Sequence, residues 1–141
     1  MNLNELKNTA IEAALAAGRI IKSYMDTDIT LVEKGGGSNY ASQVVTKVDK
    51  ECEDEILSYL LPACEKYDLA LLTEETEDDG SRFEKDYFWC VDPIDGTLAF
   101  ARKQPWFSVS IALVSKEGEP VIGVIYDPST ETLYHGAKGH G

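Results

Sequence analysis

The sequence lacks the features of several other protein classes. No apolar run approaches the about 20 residues that span a bilayer, and the N-terminus does not have the basic-then-apolar order of a secretory signal. Basic residues are few, since 13 Lys and Arg stand against 25 Asp and Glu and give a net charge of −12. Phosphate backbones demand a basic face. We therefore expect a cytoplasmic protein that binds neither membranes nor nucleic acid polymers.

Cysteine and histidine are also scarce. Cys52, Cys64 and Cys90 lie far apart without a CxxC spacing, and the chain has only two histidines. This composition argues against a zinc site. Cys52 falls in a helical pattern and Cys90 in a strand-like run, so both are predicted to be small core side chains.

The chain is long enough, at 141 residues with 43% apolar residues, for one domain with a hydrophobic core. Apolar residues at steps of three and four from Leu6 to Tyr24 predict a first helix. A polar stretch over 26–42, broken by three glycines, predicts a loop. A second helical pattern follows Thr46, with Pro62 near its end.

Short apolar runs in the rest of the chain predict buried strands. They cover 69–72, 87–91, 107–114, 121–126 and 132–134. Glu117-Gly118 is a predicted hairpin turn, and residues 136–141 have loop composition. Two helices followed by strands predict an α+β fold, with the helices packed on a mostly antiparallel sheet. We expect residues 1–141 to form a single domain.

The run Asp92-Pro-Ile-Asp-Gly-Thr directly follows an apolar strand and carries the strongest chemical pattern. Pro93 keeps Asp92 extended, and Gly96 lets the backbone turn sharply. Asp92 and Asp95 can therefore converge beyond the strand end, with the Ile94 carbonyl between them. Hard oxygen donors of this kind suit Mg²⁺ or Mn²⁺.

The residues after Asp95 predict a phosphate site. Gly96 and Thr97 can open a helix whose free N–H groups receive a phosphate oxygen. The alternative interpretation of the whole run is an Asp-Pro turn followed by an Asp-Gly turn, both common in surface loops.

Two further acidic groups have weaker patterns. Glu74 and Glu75 follow a predicted strand, as Asp92 does, but they also begin an acidic run typical of a solvated loop. Thr46 and Asp49 have the spacing of a helix capping box, which needs no chemistry. A functional interpretation places Asp49 near a metal and its water. Spacing alone favours the cap.

Together these runs resemble the inositol monophosphatase superfamily, the lithium-sensitive, magnesium-dependent phosphatases. The run that begins at Asp92, with the preceding Trp89-Cys-Val, is similar to the family's first signature. Glu74-Glu75 stands where the family has a Glu-Glu pair, and Val45-Thr46-x-x-Asp49 resembles its Val-Thr-x-x-Asp motif. The resemblance implies the first half of a layered αβαβα sandwich, and it favours the functional interpretation of Asp49.

The resemblance also implies a set of metal ligands. Glu74, Asp92 and the Ile94 carbonyl would ligate a first Mg²⁺ or Mn²⁺, and Asp92 and Asp95 would share a second. The expected chemistry is in-line attack of water on a phosphomonoester, assisted by two or three metal ions.

Catalytic and phosphate-binding roles are implied for neighbouring residues. Glu75 and Asp49 would hold metals or waters in a weaker shell. Thr97 with Asp49 would orient the attacking water, and the amides of Gly96 and Thr97 would hold the substrate phosphate. The expected substrate is a small phosphate ester of the inositol monophosphate or 3′-phosphoadenosine 5′-phosphate type.

One departure limits the resemblance to the family's N-terminal half. Neither Trp89 nor Trp106 is followed by Asp, so the second family signature, Trp-Asp-x-Ala, is not found. We expect low activity from this chain alone, and either self-association or association with a missing C-terminal half. The alternative is an incomplete fragment or a non-catalytic, metal-binding partner module.

Overall fold

The computed structural model describes residues 1–26, 38–73, 80, 83–95 and 108–139, with the backbone alone for 25–26, 38–46 and 94–95. Two helices precede the strands along the chain. The elements are α1 (Leu3–Asp26), α2 (Ser38–Tyr67), β1 (Ala70–Thr73), β2 (Tyr87–Asp95), β3 (Ser108–Ser115), β4 (Pro120–Asp127) and β5 (Thr132–Ala137).

The strands form one sheet in the order β1-β2-β3-β4-β5. β1 pairs with β2 in parallel, and the three other pairs are antiparallel. Both helices pack on one face of this sheet, which confirms the predicted α+β architecture. Gly118, with a φ of 92°, occupies the predicted turn between β3 and β4.

The core lies between the helices and the sheet. On α1, alanines face the core and allow the helix to lie close to its neighbours; Ala10, Ala13, Ala14 and Ala17 are fully buried. At Gly18 the approach is closest, because an added Cβ would lie 2.3 Å from the ring atom Cε2 of Tyr126 in β4.

Helix α2 is longer than its sequence pattern predicts. It begins at Ser38 and ends at Tyr67, so the predicted loop over 26–42 is wrong for residues 38–42. Thr46 lies well inside the helix, and the capping-box interpretation of Thr46 and Asp49 is therefore wrong. Pro62 does not end the helix, because it lies on the exposed side, where the Ser58 carbonyl that loses its partner can face water.

The cysteines divide between the two sides of the sheet. Cys52 is buried in α2, and its thiol lies 3.7 Å from the Ala17 carbonyl oxygen, as expected for a core side chain. Cys90 is exposed, so its predicted core position is wrong. The reason is strand alternation: Trp89 and Val91 face the helices, and Cys90 faces the opposite way.

One strand boundary also differs from the sequence pattern. β5 continues through Gly136 and Ala137, where loop composition predicts no strand, because their backbones pair with Gly123 and Ile122 of β4.

Within the described part of the chain, neither helix is long and apolar enough to cross a membrane.

Candidate metal and phosphate site

The Asp-Pro-Ile-Asp run lies within the end of β2 rather than beyond it. Asp92 pairs with Ser110 and Asp95 with Ser108, so β2 has one residue more than β3 between these two pairs. This is a β-bulge, and Pro93 explains it, because proline has no N–H to donate to the ladder. The bulge changes the direction of the β2 backbone where the two carboxylate residues stand.

Asp92 belongs to the sheet face that the helices leave uncovered. The buried side chains of Trp89 and Val91 point towards the helices, so strand alternation places half-buried Asp92 on the opposite face. Its cross-strand neighbour on that face is Ser110, followed by Ile125 of β4 and Tyr134 of β5.

Asp49 lies on the inner side of α2. Its side chain is only 6% exposed, and its neighbours Val48 and Cys52 are fully buried. Because the helix starts at Ser38, Asp49 is not needed to cap it. A buried carboxylate in a helix interior is costly unless it takes part in binding or in a buried polar network.

The chain reversal after α2 brings Asp49 and Asp92 to the same end of the sheet. The Leu69 amide bonds to the Cys64 carbonyl, and Asp68 has a φ of 55°, a Schellman-type end from which β1 runs back along α2. From Cys64, Asp49 lies about 22 Å back along the helix at about 1.5 Å per residue. On the strand side the distance is counted from Leu69, directly before β1. Asp92 lies one residue past the pair Thr73–Val91, which is about 16 Å from Leu69 along the strands at about 3.3 Å per residue.

The other predicted site residues are only partly described. Ile94 and Asp95 have a described backbone at the bulge, and Glu74, Glu75, Gly96 and Thr97 lie outside the described residues. Among the residues whose side chains are described, no three His, Cys, Asp or Glu groups gather around one point. Asp49 and Asp92 therefore lie towards one end of the sheet, Asp49 on its helix side and Asp92 on the opposite face, and the roles of all the predicted site residues stay predictions.

The described donors suit a hard divalent cation. Asp49 and Asp92 offer carboxylate oxygens, the ligands that Mg²⁺ and Mn²⁺ prefer. Burial, together with the negative charge of Asp49, raises the pKa of the Cys52 thiol to about 12. The thiol next to Asp49 is thus protonated at neutral pH and does not compete as a thiolate ligand.

Sequence reasoning missed one residue near this end of the sheet. Glu53 stands one helical turn after Asp49 and is fully buried. A signal was available in the sequence, because Asp49, Glu53, Ile56 and Leu60 follow one another at helical spacing. An acidic residue on an otherwise apolar helix face is unusual.

Comparison with known proteins identifies the family of this chain. The inositol monophosphatase family model matches residues 2–141. The chain belongs to the inositol monophosphatase family. The resemblance inferred from the spaced motifs is thereby confirmed, and members of this family are phosphatases.

Individual relatives agree with this assignment. Nus factor SuhB of Haemophilus influenzae is 36% identical over 99% of this chain and 49% of that protein. A fructose-1,6-bisphosphatase/inositol-1-monophosphatase of Aquifex aeolicus is 35% identical over 99% of this chain and 50% of its own length. This member of the inositol monophosphatase family thus spans about half the length of these relatives.

Solved structures show the same relation. CysQ from Bacteroides thetaiotaomicron, described as a bacterial member of the inositol monophosphatase family, superposes on this family member with a TM-score of 0.78 at 32% identity. The match covers 97% of this chain and 47% of that chain. The two helices and five strands therefore correspond to about half of that solved chain.

Proposed function

We propose that this chain supplies the metal- and phosphate-binding half of a Mg²⁺-dependent phosphomonoesterase for a small phosphorylated metabolite. The observation that carries the proposal is the position of Asp92, at a proline-induced bulge at the end of β2. The buried carboxylate of Asp49 stands at the same end of the sheet. Family membership supplies the reaction class.

In this proposal Glu74, Asp92 and the Ile94 carbonyl hold one divalent cation, and Asp92 and Asp95 hold a second. A cation held there supplies Lewis acidity towards water and charge neutralisation on the phosphoryl oxygens. The bulge shifts the register of the β2 backbone between Asp92 and Asp95, two residues whose side chains a regular strand would send to opposite faces.

The remaining residues act on water and phosphate. Asp49 with Thr97 accepts hydrogen bonds from the attacking water and orients it. The amides of Gly96 and Thr97 donate to the substrate phosphate, as free N–H groups at a helix start do. Glu75 contributes a further acidic oxygen in a weaker shell. The substrate is an inositol phosphate, a sugar phosphate or a 3′-phosphonucleotide.

We further propose that a second half, like the one in the longer relatives, covers the sheet face opposite the helices. That face carries Ile125 and Tyr134, which are 46% and 63% exposed. Asp92 lies in the same cross-strand row. A polypeptide that packs on this row therefore reaches the carboxylate of Asp92 and can add ligands to the site.

A shallow cavity gives this face an anchoring point. Its volume is about 330 Å³, and its lining includes Gly123 and Gly136, which pair directly across β4 and β5. Two adjacent glycines leave a depression in the sheet, since neither has a side chain to fill it. Interfaces gain most of their binding energy where a large side chain fills such a depression.

Reconstitution with a complementary half tests the function. The chain alone is expected to release little phosphate from inositol monophosphate or 3′-phosphoadenosine 5′-phosphate. Addition of the separately expressed C-terminal half of the Aquifex aeolicus relative should produce Mg²⁺-dependent, Li⁺-inhibited phosphate release. If the chain binds no divalent cation and the mixture hydrolyses neither substrate, the proposal is wrong.

The docking face has its own prediction. Ile125→Lys should abolish association with the complementary half in analytical ultracentrifugation, because a charge would be buried at the centre of the interface. The stability of the free chain should change by less than about 1 kcal/mol, since Ile125 is nearly half exposed. Leu61→Lys is the matched control: Leu61 is 49% exposed, but it lies on α2, and its replacement should leave association intact.

A second function fits the same surface. The chain could act as a non-catalytic partner module, and the observation in favour is the sheet face that the two helices do not cover, in a chain that spans about half the length of its relatives. Some of these relatives carry the name Nus factor. If the complementary half associates with the chain without any hydrolysis, this second function is preferred.

A further inference from the structure

The fully buried carboxylate of Glu53 has no role in the site as described so far. Its side chain has 0% exposure, and its Oε2 lies 3.3 Å from the ammonium Nζ of Lys50. That ammonium also approaches Asp54 Oδ1 at 3.2 Å, and the Lys50 side chain is 56% exposed. Packing alone does not call for this arrangement, because an apolar residue of similar volume usually replaces a buried ion pair without loss of stability.

The inner face of α2 changes character along its length. Ile56 and Leu60 are fully buried and apolar, whereas the buried positions closer to the N-terminus include the carboxylates of Glu53 and Asp49, each beside a buried apolar residue (Cys52 and Val48). Residues four apart lie on the same side of a helix, with Cβ atoms about 5–6 Å apart. The acidic part of the face therefore has two buried carboxylates in succession.

The acidic part of α2 lies about as far along the helix from the chain reversal as the proposed site lies along the strands. From Cys64, where the chain reverses, Glu53 lies about 16 Å back along α2 at about 1.5 Å per residue. Asp92 lies about 16 Å from Leu69 along the strands at about 3.3 Å per residue. Glu53 is thus level with the ends of β1 and β2, on the helix side of the sheet, and Asp49 extends one turn beyond it.

We propose that Glu53 is a positioning residue that strengthens divalent-cation binding at the Asp49 and Asp92 end of the sheet, and that Lys50 partly offsets its charge. This inference rests on the proposed metal site. Glu53 acts without ligating the cation: its negative charge lies in the dry layer between α2 and the sheet, where water screens it little. Attraction across this layer adds to the attraction of the ligands themselves.

Mn²⁺ titration calorimetry on the 141-residue chain tests this role. Glu53→Gln should raise the dissociation constant about four- to fortyfold, the effect of one unit charge about 10 Å from a divalent cation at an effective dielectric constant of about 80 to 30. Glu53→Asp keeps the charge and should bind Mn²⁺ nearly as the wild type does. Lys50→Gln should tighten binding, because it removes the offsetting cation.

Asp54→Asn is the matched control. It removes the same charge from the same helix and takes a partner from the same lysine, but Asp54 is 61% exposed. Solvent screening should limit its effect on the dissociation constant to less than about twofold. Both variants lose one negative charge from the same helix. A difference between their dissociation constants therefore reports the burial and the position of Glu53 rather than the charge alone.

Thermal unfolding without metal separates a positioning role from a structural one. If Glu53 only maintains packing, Glu53→Gln lowers the melting temperature, leaves the Mn²⁺ affinity of the folded chain unchanged, and Lys50→Gln does not tighten binding; this result overturns the inference. A second outcome is that the wild type binds Mn²⁺, Asp92→Asn removes binding, and Glu53→Gln and Asp54→Asn have the same dissociation constant. In that case the inference about Glu53 is wrong and the proposed metal site stands. If the wild type binds no Mn²⁺, both the proposed metal site and the inference about Glu53 are wrong.

Discussion

Asp92→Asn is expected to weaken Mn²⁺ binding by at least about a hundredfold, since even the loss of an outer partner of a metal ligand weakens binding by about 10- to 100-fold. Asp92 has the largest expected effect because it would contact both cations. Asparagine keeps the shape of the side chain and one carbonyl oxygen, but it removes the negative charge that a hard cation requires.

The fold should tolerate this substitution. Asp92 is half-buried at a bulge, and the backbone pairing with Ser110 does not involve its side chain. The free energy of unfolding should therefore change by less than about 1 kcal/mol. Titration calorimetry gives the affinity, and chemical denaturation without metal gives the stability.

Asp86→Asn is the matched control for Asp92→Asn. Asp86 directly precedes β2 at its opposite end, its side chain is 85% exposed, and it lies 3.7 Å from Lys116. An exposed ion pair of this kind contributes about 0–1 kcal/mol, so Mn²⁺ affinity should not change. If wild type and Asp92→Asn bind Mn²⁺ with equal affinity, Asp92 is not a metal ligand and the proposed site is wrong at its central residue.

Gly18→Ala is expected to destabilise the chain by about 2 kcal/mol through overpacking. The new Cβ would lie 2.3 Å from Cε2 and 2.7 Å from Cδ2 of Tyr126, so α1 and β4 must move apart. Alanine favours the helix by about 1 kcal/mol over glycine, and the expected loss is what remains after that gain. For a chain of this size the melting temperature should fall by about 7 °C.

A double-mutant cycle identifies the cause of this loss. In a Tyr126→Leu background, Gly18→Ala should be neutral or stabilising, because the ring edge that the methyl group meets is gone. Gly123→Ala is the control for glycine itself: no atom lies within 4 Å of its added Cβ, and stability should hold or rise slightly. If Gly18→Ala is as harmless as Gly123→Ala, the close packing of α1 on β4 is not as described.

Local sequence patterns predicted most elements but misplaced several boundaries. The strand runs and the Glu117-Gly118 turn follow from alternation and turn chemistry and agree with the structure. The start of α2 was missed because 38–46 is polar and β-branched, and such propensities are weak where tertiary packing stabilises a helix. Cys90 was misassigned because an apolar run does not reveal which strand face is covered.

The family and the identity of the candidate site residues follow from the amino-acid sequence. The spacing of Glu74-Glu75, of Asp92 to Thr97 and of Thr46-x-x-Asp49 is linear information, and it is sufficient to indicate the inositol monophosphatase family. Oxygen donors in such spacing already indicated a hard cation, since ligand chemistry depends on residue type.

The relative positions of these residues, in contrast, follow from the folded chain alone. It placed Asp92 on the sheet face opposite the helices, moved Asp49 from a supposed cap to a buried helix interior, and revealed Glu53 at the same height. These facts depend on chain reversal after α2, on strand register and on which face is covered. Each is set by contacts between residues distant in sequence, which no local pattern encodes.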